Sequence, residues 1–352
     1  MTRVYVSGAG AVSPAGWGVP AMRAAMEAGC PLPTGPLAYP GIERQFQFRS
    51  VPAPDPRPAL LAHPRLRRTS PITQYAAAAA LEAAGALVSS ANPTRFGLIF
   101  CLQSGPVQYA TRFYGEVVKD PATASPLLFP ETVFSAPASH IAALLGTVPI
   151  AYTLVGDPTS FLEGLAMGAS WLTEGRVDAC LVVGAEEFNW LQAQAVWHFD
   201  HHAILGAGAG ALCLSLSANP NRNPNLNPNP PPICAELELI TDQATYREAG
   251  GMASAARQMR TRIPEATAAE VLVNGLGGTA RPVKAESAAW RDWPGAIVSP
   301  KRVLGEGLMA ASAWQCVLAV DAISTGRHPS ATVSVVGFDQ QAIGARFTAA
   351  KP

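Results

Sequence analysis

The sequence predicts an α/β protein built from two similar halves. Apolar runs of strand length alternate with helix-spaced segments along the chain, and the alternation resumes beyond a stretch rich in Asn and Pro. Of the 352 residues, 49% are hydrophobic and 14% charged, enough apolar surface to bury sheets on both faces. The length exceeds that of one small domain. The halves are expected at 1–218 and 233–352, with 219–232 as a solvated connector, because alternating Asn and Pro supports neither helix nor central strand.

In order, Arg3 to Val6 reads as a short strand followed by Gly8, Gly10 and Gly16. Helical spacing runs from Pro20 to Gly29, bounded by Pro and Gly. Pro31 to Pro64 is polar and Pro-rich and reads as surface loop. A helix from Ser70 to Ala84 stops at Gly85. Phe96 to Leu102 is a continuous apolar run, hence a strand buried on both faces. A helix at 135–145, a strand at 150–155, a helix at 161–174 and strands at 179–184 and 209–216 complete the first half. The second reads as strand 234–240, helix 245–261, strand 270–273, helix 283–290, strand 296–299, helix 305–324 and strand 331–336.

Lys+Arg and Asp+Glu are 25 each, so no field of one sign is present to hold nucleic acid or an anionic membrane. The start lacks an apolar signal core, and no run reads as a membrane span. The nearest, Pro71 to Val88, carries Gln74 and Glu82 and is expected as a buried amphipathic helix. Six cysteines lie scattered without CxxC spacing, as in a reduced, cytoplasmic protein with buried thiols.

Gly8-Ala-Gly10 follows a strand, but the third glycine and the closing acidic residue of a dinucleotide site are missing. Leu205 to Gly210 lacks the Lys-Ser/Thr of a phosphate loop. No cofactor is expected. The densest set of metal-ligand types is His198, Asp200, His201 and His202. No second group stands elsewhere to complete a site, so no metal is expected either.

Several segments, in order, resemble the β-ketoacyl-acyl carrier protein synthases of the thiolase-like superfamily. Val4 to Gly16 is similar to their first strand and glycine turn, and Ser125 to Gly146 to the segment that crosses to the dimer partner. Gly175 to Glu187 resembles the strand after the nucleophile helix, and Leu205 to Leu214 the strand closing the first half. Val273-Asn274, Lys301 to Gly305 and Val335 to Phe338 resemble second-half landmarks. The resemblance spans nearly the whole chain. It implies a thiolase-like five-layer α/β/α/β/α sandwich, usually dimeric.

The departures fall on the chemistry. The family carries a cysteine at a helix N-terminus, where the dipole favours the thiolate that accepts the acyl group. The matching position here is Pro158, with Asp157 as a natural N-cap. A shift of one or two residues reaches Thr159 or Ser160, neither with an evident base. Two histidines that would polarise the malonyl thioester are matched by Leu276 and Glu306. Leucine donates nothing to an oxyanion, and an ionised Glu306 repels one. Lys301 is retained and is expected to pair with Glu306 across a turn, with Asp157 as a possible neighbour. Glu186 and Glu187 read as a strand end satisfying backbone or partner donors.

The resemblance therefore implies a catalytically degenerate subunit similar to a chain length factor. Such a subunit pairs with an active ketosynthase as a heterodimer and works with acyl carrier protein in fatty acid, polyketide or aryl-polyene synthesis. It places Thr132, Val133 and Phe134 at the mutual interface and substrate tunnel, with Phe338 as a further tunnel position. Phe134 is equally readable as ordinary core. Two alternatives stay open: an acyl-thioester enzyme of altered chemistry, such as malonyl decarboxylation, and a non-catalytic homodimer that binds acyl chains or acyl carrier protein.

Overall fold

Phe96–Leu102 is buried at every position and has a strand on either side, as its unbroken apolar run requires. In this computed structural model, which describes residues 2–89, 94–217, 235–338 and 341–350, it pairs in parallel with Ile150–Val155 on one side and Ala179–Glu186 on the other. Ala179–Glu186 pairs antiparallel with Gly208–Ser215, which pairs antiparallel with Tyr5–Ser13.

The strands after residue 234 repeat this order and these directions. Val271–Val273 lies in parallel between Ala296–Val298 and Ser330–Val336. Ser330–Val336 pairs antiparallel with Gln341–Thr348, which pairs antiparallel with Ala235–Ile240. The two five-strand units join through their first strands, with Tyr5 opposite Glu236 and Val6 opposite Ala235.

Two helices, Ser160–Thr173 and Met309–Ser324, contact both units and form the middle layer. Met309–Ser324 is buried from Met309 to Ile323, so it has no polar face to show. Pro71–Ala84 and Ala136–Leu145 cover the outer face of the first unit, and Met252–Thr261 and Ala280–Ala289 that of the second. The result is the five-layer α/β/α/β/α sandwich.

Several elements depart from the sequence reading. The first strand runs on through both glycines to Ser13. A methyl group on Gly8 would lie 2.0 Å from the Ala83 carbonyl oxygen, and one on Gly10 2.1 Å from that of Ala79. The glycines are strand positions over which helix Pro71–Ala84 passes in backbone contact. The stretch 31–64 is not all loop. Gly35–Tyr39 and Ile42–Arg49 form a hairpin that joins Leu205–Gly206 in a small sheet. Helices Val107–Lys119 and Trp190–Phe199 and strand Gln341–Thr348 were not anticipated. The helix expected at 245–261 begins at Met252, after a short strand Ala244–Thr245 and one turn of 3-10 helix. The helix expected from 305 is two helices, Pro300–Leu304 and Met309–Ser324, parted by a turn with positive φ at Gly305 and Leu308. The Asn/Pro connector falls within 218–234, outside the described residues.

Candidate functional site

A cleft of about 420 Å³ opens between the two units. Gln103 and Ser104, which follow strand Phe96–Leu102, and helix Trp190–Phe199 supply one wall; Tyr246, Thr279 and the start of helix Ala280–Ala289 supply the other. Leu308 and Phe338 also line it, and both belong to an apolar cluster with Phe188 and Leu205. Asp200 spans the mouth: its carboxylate accepts the Ala280 N–H at 2.6 Å, satisfying a donor at the start of a helix in the opposite unit. Two buried polar atoms of the lining, Gln103 Oε1 and Thr279 Oγ1, have no partner among the described residues. Such atoms are costly unless a ligand or water meets them.

The remaining candidate positions lie outside the lining and fall into two groups. Lys301 and Glu306, 5% and 1% exposed, form an ion pair at 2.7 Å. Stripped of water, such a pair persists because each charge neutralises the other. The other Glu306 oxygen accepts the Leu308 N–H at 2.9 Å. A third charged residue that the sequence reading missed, Glu286, completes this group. It accepts the Gly275 N–H at 3.0 Å and the Ser334 hydroxyl. Burial pushes Glu286 up to about 7, against the pull of Ser334, Gly275 and the Lys301 charge. Leu276 is half-buried in the same loop, its N–H on Asn274 Oδ1 at 3.2 Å. A lone acidic residue in a polar helix carries no local signal, and only the fold brings Glu286 to Lys301.

Asp157 belongs to the second group. Its carboxylate accepts the Thr159 N–H at 2.8 Å, the Thr159 hydroxyl and Gln341 Nε2 at 3.1 Å. Asp157 is not the N-cap of helix Ser160–Thr173; that position is Thr159. A tight turn, closed by the Ser160 N–H on the Asp157 carbonyl at 3.0 Å, precedes the helix. Pro158, without an N–H, sits inside that turn and is buried. A methyl on Gly337 would fall 1.7 Å from Asp157 Oδ2, so Asp157 packs on the Gly337 backbone at the end of strand Ser330–Val336. Thr159 and Ser160 are both buried.

Glu186 and Glu187 lie at the end of the central strand. Glu186 is fully buried and accepts the N–H groups of Gln103 and Ser104, which shapes the cleft wall. Burial raises it to about 8. Glu187 accepts the Ser70 hydroxyl and the N–H groups of Ile72 and Gln108, both at 2.9 Å.

Thr132, Val133 and Phe134 lie outside the cleft. Thr132 is half-buried, its hydroxyl on the Phe129 carbonyl at 2.8 Å. Val133 and Phe134 are 42% and 44% exposed, so Phe134 is not ordinary core of this chain. Phe338, grouped with them from sequence, is half-buried in the cleft wall instead. His201 stacks on Trp197 at 4.1 Å, Asp200 is taken up at the cleft mouth, and no metal-binding cluster occurs among the described residues. No helix among the described residues is long and apolar enough to cross a membrane.

No protein-family model matches the chain, and no curated protein matches it. Solved structures do. A type II polyketide synthase ketosynthase, in complex with its acyl-carrier protein, aligns with a TM-score of 0.79 at 16% identity, covering 99% of both chains. The ishigamide ketosynthase/chain length factor aligns at 0.77 and 20% identity, over 99% of this chain and 100% of that one. A β-ketoacyl synthase from Burkholderia phymatum STM815 aligns at 0.75 and 17% identity over the whole of both. End-to-end superposition at such low identity is a likeness of fold, and this chain has the thiolase-like fold shared by ketosynthases and chain length factors.

Proposed function

We propose that this chain is a catalytically degenerate ketosynthase-like subunit. It pairs with an active ketosynthase and acts with acyl carrier protein in cytoplasmic synthesis of a fatty acyl, polyketide or aryl-polyene chain. One observation carries the reading: Pro158, Leu276 and Glu306 stand where the resemblance expects a cysteine and two histidines. None can form the acyl thioester or donate to the enolate oxygen. A carboxylate held in a buried ion pair is the opposite of an oxyanion site.

The surface supports pairing. Among the described residues Ile150–Val155 ends the sheet with one edge unpaired, and Tyr152 and Val155 on it are 51% and 53% exposed. An open edge bearing large apolar side chains is a template for a second chain. Val133 and Phe134 add further exposed apolar surface. In this reading Phe134 borders the acyl tunnel where the two subunits meet.

Affinity capture of the tagged protein from its own cells, followed by native mass spectrometry, tests the proposal. A one-to-one complex with a cysteine-bearing ketosynthase is expected, and a homodimer alone would overturn it.

A further inference from the structure

Leu308 is the non-glycine residue with a left-handed backbone among the described residues, at φ 49° and ψ −115°. A leucine pays for that geometry in steric strain, so something must hold it there. It is 4% exposed, lines the cleft and immediately precedes the buried helix Met309–Ser324.

Glu306 supplies the hold. One carboxylate oxygen accepts the Leu308 N–H at 2.9 Å while the other accepts Lys301 Nζ at 2.7 Å. The Glu306 backbone is fixed on both sides: its N–H donates to the Ile204 carbonyl at 2.8 Å, and its carbonyl accepts the Gly206 N–H at 3.0 Å. A carboxylate takes two donors at once on separate oxygens, which an imidazole with a single acceptor nitrogen does not.

We infer that Glu306 is a positioning residue, a clamp that fixes Leu308 in its left-handed turn as the inner wall of the cleft, with Lys301 and Glu286 behind it. On this inference the glutamate has a task of its own rather than marking a lost histidine. The clamp is independent of which chain this subunit pairs with, so its failure would leave that proposal standing.

The competing role is charge alone: Glu306 merely neutralising Lys301. A thermal-melting cycle with Glu306→Ala, Leu308→Gly and the double variant separates the two, because glycine needs no holding in that conformation. If Glu306 is a clamp, the Tm loss caused by Glu306→Ala is measurably smaller in the Leu308→Gly background, since the unpaired Lys301 charge contributes equally to both. An equal loss in both backgrounds overturns the inference.

Amide hydrogen exchange across 305–311 gives a second readout. It should accelerate about tenfold or more in Glu306→Ala, reporting local opening of the turn. It should stay at the wild-type rate in Lys301→Met/Glu306→Gln, which keeps an acceptor for Leu308 without a buried charge. Should Glu306→Ala fail to fold, that paired variant decides. Slow exchange supports the clamp, and fast exchange overturns it.

Discussion

The Phe134 ring lies against Gly105: a methyl group there would sit 2.4 Å from the ring's Cδ1, and Gly105 itself has φ 79°. The contact joins the exposed segment before helix Ala136–Leu145 to the loop that carries Ser104 in the cleft wall. Gly105→Ala therefore meets both a conformational penalty and a clash, and should cost about 1–3 kcal/mol in urea unfolding.

Phe134→Ala acts differently. Its ring is nearly half exposed, so truncation should cost well below the roughly 3–5 kcal/mol of a fully buried phenylalanine. In a reconstituted pair the same change should lengthen the products. Mass spectrometry of those products decides, and unchanged lengths would remove Phe134 from the tunnel.

Lys301→Met leaves Glu306 and Glu286 as two buried carboxylates without their cation. Removing one partner of a buried pair costs about 3–5 kcal/mol, a loss readable in the denaturation midpoint. Replacing Lys301 and Glu306 together by apolar residues should recover part of that loss, although the Leu308 turn would then lack its acceptor.

Stability should fall as pH rises across neutrality. Burial raises Glu286 to about 7 and Glu186 to about 8, against an ordinary value of 4.5. Each holds its proton more tightly folded than unfolded. The stabilisation is complete below about 4.5 and is lost as pH climbs through 7 and then 8. One such group gives a slope of at most about 1.4 kcal/mol per pH unit. Between pH 7 and 8 Glu186 still contributes while Glu286 has begun to lose its proton, so Glu186→Gln should flatten that interval in a series of unfolding midpoints. A slope unchanged by the substitution would assign the proton elsewhere.

Val155→Lys places a charge on the open edge of the sheet. If the chain pairs through this edge as proposed, the complex should shift to monomer in light scattering after size exclusion, with the melting temperature of the separated chain unchanged.

Much of the fold is legible in single residues, and the failures have physical causes. Phe96–Leu102 is readable because nothing in it could face water. Val107–Lys119 is not, because none of its residues is buried and its aromatic residues Phe113 and Tyr114 pack with each other. The proline density of 31–64 hides a hairpin that needs few central ladder donors. The break before Met309 falls at Gly305-Glu306-Gly307-Leu308, where two glycines mark it, but the turn rests on the Glu306 carboxylate accepting the Leu308 N–H, which no periodicity encodes. At the site, the Lys301–Glu306 pair is visible in their spacing of five. The joining of Glu286 to Lys301, of Asp157 to Gly337 and of Asp200 to Ala280 depends on contacts between distant segments, which no local pattern encodes.

The close passage of helix Pro71–Ala84 over Gly8 and Gly10 bears on how kinship persists in such a chain. A carbonyl oxygen occupies the place of any side chain at both positions, so every replacement is barred whatever chemistry the cleft performs. That constraint is written in the spaces where two backbones touch, and a comparison weighted toward those glycines should detect relatives that overall similarity passes over.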